Sequence, residues 1–183
     1  MMMRRTTLLV VCVLLSGCGF FSRAKSQFYS LETIETTAAR GTMGGVPIGI
    51  DAIELPPGLD RREIVARGAD HRFEIRGTHQ WASPLEEMVI HTLAFDLANR
   101  LPEGMVVLPG QPKPAATRSL SVVFEDLASG PDDIFVLDAR WTIGELTKHE
   151  RITIPLQSKE SASIVAAMSQ ALATLADRVA GGV

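Results

Sequence analysis

Apolar and polar residues alternate most regularly in the C-terminal half of the chain. Leu120, Val122 and Phe124 take every second position, then Phe135, Leu137, Ala139, Trp141 and Ile143, and Ile152 and Ile154 continue the period. A period of two puts one set of side chains on one face of a pleated strand. The turn regions Ser129-Gly130-Pro131-Asp132 and Gly144 to His149 separate these runs, which predicts an antiparallel meander with one buried face. Asp132-Asp133 belongs to a turn for backbone reasons.

Elsewhere the period lengthens. Leu85, Val89, Leu93 and Leu97 recur every four residues, with Met88, Phe95 and Leu101 widening the face. Ser83 offers an N-cap, Pro84 suits the first helical position, and Glu86 and Glu87 complement the positive helix start. Pro102 and Gly104 stop this helix near Arg100. A second, longer helix is expected from Ser158 to Val179, with Ile164, Met168, Leu172, Leu175 and Val179 on one face and Gly181-Gly182 at its end. Short strands are expected at Phe28–Leu31, at Ile48–Ala52 before Pro56-Pro57, at Arg72–Ile75 and at Met105–Leu108. Leu59–Ala66 reads as a helical turn, and Thr36–Gly45 and Pro109–Thr117 read as loops. Together these predict one α/β (α+β) domain: a mixed sheet with a C-terminal antiparallel meander and two main helices packed on it.

The N-terminus has a different character. Arg4 and Arg5 precede an unbroken apolar run, Leu8 to Leu15, and then Leu15-Ser16-Gly17-Cys18. A positive flank, a short apolar core and small residues at a cut site mark a secretory signal peptide. The core is shorter than the roughly 20 residues that span a bilayer. A cysteine after Leu-Ser-Gly resembles the lipobox of bacterial lipoproteins. That resemblance implies a leader over residues 1–17, diacylglycerol on the Cys18 sulfur and an acyl chain on its amino group. Residues 18–27 then form a lipidated tether and 28–183 the folded domain. Each chain contributes about 0.8 kcal/mol per buried methylene, so three chains make a permanent anchor. Gly19 after the cysteine favours, by the same resemblance, the periplasmic face of the outer membrane.

Removal of the leader leaves 166 of the 183 residues, enough for a hydrophobic core. Two arginines leave with it, so 16 basic residues face 21 acidic ones, a net charge of −5. That balance argues against nucleic acid and gives no polybasic support for anionic lipid. Cys12 leaves with the leader and Cys18 is capped, so no disulfide, thiolate metal site or thiol redox chemistry is expected.

Candidate chemistry is sparse. His71, His79, His91 and His149 lack metal-ligand spacing, and no HExxH, P-loop or GxSxG pattern occurs. Gly44-Gly45 is not followed by a phosphate-binding helix start. The expectation is a protein that is not an enzyme and carries no metal or cofactor beyond the lipid on Cys18.

The segments IGIDAIELPPGLDRREIVARG and HQWASPLEEMVIHTLAFDLANRL carry a more specific signal. They contain Leu55-Pro56, Leu59-Asp60-Arg61, Ile64-Val65-x-Arg67 and Trp81-Ala82-x-Pro84-Leu85. In this order and spacing the chain resembles the auxiliary lipoproteins of ABC-type transport systems, the paraquat-inducible protein C-like family. Phe28-Tyr29-Ser30-Leu31 and Leu137-x-Ala139-x-Trp141 also fit, so the resemblance covers nearly the whole mature chain. Pro57-Gly58 departs from the family pattern and leaves the shape of this turn open. The resemblance implies partnership with an ABC-type system containing an MCE-domain component, and phospholipid movement between membranes.

Each motif residue also has a structural reading. Leu55-Pro56 can end a strand, and Leu59, Ile64 and Val65 can fill the core, which is the favoured reading for them. Trp81 can be a staple before the helix that Pro84 and Leu85 begin. Asp60 with Arg61 can be a surface ion pair worth ~0–1 kcal/mol, and Arg67 a solvated charge. The functional reading makes the 55–67 loop and the turn before Trp81 a docking surface, with Arg61, Arg67 and Trp81 carrying its energy. Two rival functions remain open. One is a lipid carrier whose pocket is lined by the faces of Leu85–Leu97 and Ile164–Val179; the other, ranked lower, is an envelope hydrolase.

Overall fold

The computed structural model describes residues 25–36, 45–68, 72–130 and 132–182. The signal segment, Cys18 and most of the tether, along with residues 37–44 and His71, lie outside these. Eight strands and two helices follow one another: β1 (Gln27–Tyr29), β2 (Ile48–Glu54), β3 (Glu63–Arg67), β4 (Phe73–Trp81), α1 (Leu85–Arg100), β5 (Val106–Val107), β6 (Arg118–Ser129), β7 (Ile134–Ile143), β8 (Leu146–Pro155) and α2 (Ser161–Ala180). They form a five-stranded sheet, β5-β2-β6-β7-β8, and a three-stranded sheet, β1-β4-β3. Parallel pairs (β2 with β5 and β6, β1 with β4) and antiparallel pairs (β6–β7, β7–β8, β3–β4) mix in both. The predicted mixed α+β domain is correct, and its single sheet is in fact divided in two.

The meander is β6, β7 and β8. All five alternating residues of β7 from Phe135 to Ile143 are buried, as are Leu120, Val122 and Phe124 of β6 and Ile152 and Ile154 of β8. A bulge between Phe124 and Asp126 leaves Glu125 outside the one-to-one pairing and restores Leu127 to the core, opposite Leu137. One extra residue therefore turns two successive acids, Glu125 and Asp126, off the core face.

The helices cover the buried face. α2 packs on β6, β7 and β8, α1 on β2 and β5, and the two helices on each other. Leu85, Val89, Leu93 and Leu97 of α1 join Ile164, Met168, Leu172, Leu175 and Val179 of α2 in one core cluster. The faces expected of a lipid-carrier pocket are thus packed core. No helix among the described residues is long and apolar enough to cross a membrane.

Five local expectations need correction. The second turn of the meander is Gly144-Glu145 alone, and Leu146 to His149 already belong to β8. Phe95 does not widen the core face of α1 but is exposed and stacks on His91. Ser83 does not cap α1; Pro84 takes the cap position without a side-chain bond, and its carbonyl accepts from the Met88 N–H at 3.2 Å. α2 starts at Ser161, after a turn in which Ser158 Oγ accepts from the Glu160 N–H. Leu59–Ala66 is no helical turn. The Leu59 N–H bonds the Pro56 carbonyl at 3.2 Å across Pro57 and Gly58, and Gly58 has φ +88°. That is the residue order of a type II turn, in which glycine supplies the positive φ. β3 follows at once.

Candidate groove beside Trp81

Three separated segments meet at the small sheet. β1 runs parallel to the end of β4, Tyr29 beside Trp81, and the Ala82 N–H donates to the Tyr29 carbonyl at 2.8 Å. The loop from Leu55 to Arg62 returns to the same place, where the Trp81 N–H donates to the Arg62 carbonyl at 2.8 Å. Leu59 is buried beneath this loop, and the Arg61 N–H donates to the Leu59 carbonyl at 2.8 Å. These bonds fix a groove of about 410 Å³ walled by Phe28, Asp60, Arg61, Arg62, Trp81, Ala82, Ser83 and Pro84.

Four of the residues singled out in the sequence line this groove: Asp60, Arg61, Trp81 and Pro84. The others hold it in place. Ile64 and Val65 are buried in β3, Leu85 is buried at the start of α1, and Leu55 and Pro56 are half-buried where β2 ends. Arg67 reaches away from the groove and grips Asp126 with both Nη atoms, at 2.9 and 2.8 Å. This bidentate pair ties β3 to β6 and so the small sheet to the large one. Phe28 and Arg62 were missed. Phe28 could have been noticed as an aromatic in a three-residue strand, whereas Arg62 carries no local signal.

The groove has an apolar floor and a charged rim. Trp81 is almost wholly buried, while Phe28 is 62% exposed. Arg61 Nε bonds Glu63 Oε2 at 3.3 Å, an exposed pair, which leaves the Arg61 side chain along the rim. Rigid aromatics with flanking guanidinium groups are the composition of an interface anchor. A second cleft, of about 370 Å³, continues past Ser83 along α1 to Met88, His91 and Phe95.

Other polar clusters bear on chemistry. Donor atoms of Glu125, Asp138 and His149 lie within 4.8 Å of one another on the outer face of the meander. Each carboxylate is already taken by a guanidinium, Arg140 on Glu125 at 2.9 Å and Arg151 on Asp138 at 2.7 Å, and His149 Nε2 bonds Asp138. With two positive charges opposite two negative ones, the cluster works as a cross-strand staple, with no excess negative charge for a cation. Asp96 is the buried acid of the helix pair. Its Oδ1 accepts from the Ile34 N–H at 2.9 Å, and burial pushes its carboxyl up to about 6 against the opposing pull of that hydrogen bond and of Arg100. Arg100 in turn bonds Asp177 at 2.6 Å and the Ile34 carbonyl at 3.2 Å, and the Glu32 N–H donates to Ser169 Oγ at 3.1 Å. The segment after β1 is thereby strapped across both helices.

The match to the family model of ABC-type transport auxiliary lipoprotein components spans residues 29–180, and the chain belongs to that family. It is a family of transport auxiliary lipoproteins, not of enzymes, and a lipoprotein of such a system resides in the cell envelope. Among curated proteins the chain is similar to the intermembrane transport lipoprotein PqiC of Escherichia coli (strain K12) and to that of Shigella flexneri. Identity to each is 24% over 150 residues, 80% of this chain and 79% of the relative. Two solved structures share the fold. One is an uncharacterized protein (TM-score 0.71, 18% identity, 87% of this chain and 99% of that one). The other is protein XCC0632 from Xanthomonas campestris (TM-score 0.65, 14% identity, 85% and 93%).

Proposed function

We propose that the protein is a lipoprotein acylated at Cys18 and held at the periplasmic face of the outer membrane. There it serves an ABC-type system with an MCE-domain component that moves phospholipid between membranes. The groove beside Trp81 is its docking site for that component. Support comes from the family to which the chain belongs and from relatives named for intermembrane transport. The observation that carries the docking reading is the convergence of Asp60, Arg61, Trp81 and Pro84, separate in sequence, on one groove with Phe28 and Arg62. Anchoring confines both proteins to one compartment edge, so a modest intrinsic affinity gives stable association. The test is a photo-crosslinking amino acid placed at Asp60 or Arg62 in intact cells, with Thr153 as control. An MCE-domain protein enriched at the groove positions and absent at 153 is the expected result; equal or no adducts at all three positions overturn it.

A further inference from the structure

The small sheet carries the three most exposed large apolar side chains of the described residues: Phe28 at 62%, and Phe73 and Ile75 at 50% each. Phe73 and Ile75 stand two apart on β4 and so share a face of the strand. Gly58 of the neighbouring turn lies beside that face, where an added Cβ would sit 3.8 Å from the Phe73 ring, and it leaves the ring half-uncovered. The outer face of the five-stranded sheet is more polar, with Glu125, Arg140, Thr142, His149 and Arg151 around one exposed valine, Val123.

The position of the anchor says which surface covers the apolar face. β1 belongs to this sheet, and Cys18 stands nine residues before Gln27. Fully extended, that stretch reaches at most about 30 Å, so the small sheet, where the tether enters the domain, stays within that distance of a bilayer holding a lipid on Cys18. We infer that the Phe73–Ile75 face rests on the phospholipid surface that holds the anchor. This inference depends on the acylation of Cys18 proposed above.

The chemistry of the border agrees. Lys25 precedes β1 and Arg72 precedes Phe73; neither forms an ion pair among the described residues. Long cationic side chains at an apolar edge reach phosphate headgroups while aromatic rings settle at the interface. Glu74, exposed between Phe73 and Ile75, offsets part of this charge, so apolar contact dominates. The contact need not be strong, because the tether already holds the two surfaces together.

The test uses the acylated protein, taken from membranes and reconstituted in vesicles of phosphatidylethanolamine and phosphatidylglycerol. With Cys18 alkylated, the mature chain offers no other thiol. Phe73→Cys, Ile75→Cys and Thr153→Cys therefore each give one site for the environment-sensitive dye NBD, and all three positions are exposed. The expected result is blue-shifted emission at 73 and 75, lost when the vesicles contain doxyl-labelled lipid, with water-like emission at 153. Equal, water-like emission at all three sites in protein of verified acyl mass overturns the membrane face and leaves the anchor standing. An intact mass without acyl chains overturns both. Protection of 73 and 75 that appears only with added protein, whether a second copy or a transport component, overturns the lipid surface in favour of that occupant.

Discussion

Asp96→Asn is expected to stabilise the domain at pH 8 and to lose that advantage as the solution is acidified. Asp96 is fully buried; among the described residues its Oδ2 has no partner and its nearest cation, Arg100 Nη1, is 3.7 Å away. Burial lifts its carboxyl from the ordinary 3.8 to about 6. A folded-state value above the unfolded one means that the native state holds the proton more tightly. The ionised group therefore penalises the fold above pH 6, and the penalty fades as pH falls toward 3.8. A rise of about two pH units corresponds to about 3 kcal/mol. That is an upper bound on the gain, because asparagine removes a countercharge from Arg100, which keeps Asp177 and two backbone carbonyls. The net expectation is about 1–2 kcal/mol of stabilisation at pH 8 and almost none at pH 4. Urea unfolding of wild type and variant at pH 8, 6.5, 5 and 4 measures it. A difference that does not change with pH, or a variant less stable at pH 8, refutes the account of Asp96 as a carboxylate held at a cost.

Other outcomes follow from the same structure. Arg67→Ala should cost about 1–2 kcal/mol, and a double-mutant cycle with Asp126→Ala should show the two losses to be non-additive, since they share one bidentate contact. Leu97→Ala, at a position with no exposure in the core between the helices, should cost about 2–5 kcal/mol in the same unfolding assay. Arg62→Glu should leave the thermal transition within about 0.5 kcal/mol of wild type yet abolish photo-crosslinking from position 60. Cys18→Ser should move the protein from the membrane pellet to the soluble fraction and remove the acyl mass.

How much of this was readable from the sequence depended on the range of the signal. β7 was legible because five buried residues alternate without a break, and α1 because Leu85, Val89, Leu93 and Leu97 repeat between a proline start and a Pro102 stop. Phe95 was misjudged on composition. It lies two residues beyond Leu93, about 200° around the helix, which puts its ring in solvent. β3 was missed because its proof is non-local: Ile64 and Val65 pair with Arg76 and Ile75 in the next strand, while the charges around them suggested a helical turn. The expected strand stops at Ile75 because Gly77 to Gln80 carry no apolar pattern; parallel pairing with β1 holds His79 to Trp81 in the strand. The groove failed to announce itself for the same reason. Its motif residues divide into those that face it and those, such as Ile64 and Leu85, that only support it, and spacing alone does not separate the two.

The arrangement also explains why so chemically quiet a module needs a well-fixed small sheet. Arg67 clamps β3 to β6 through Asp126, and Arg76 of β4 bonds Ser161 Oγ at 3.0 Å and the Lys159 carbonyl at the start of α2. The segment after β1 is strapped across both helices by Asp96, Arg100 and Ser169. All three strands of the small sheet are thus tied to the body, each through a guanidinium group that presents several donors in fixed geometry. A sheet that merely continued a tether would need none of these. Under the function proposed above, the sheet sets the angle between a membrane and a docked partner and needs each of them, because every degree of freedom left at the anchor would dilute the effective concentration that anchoring creates.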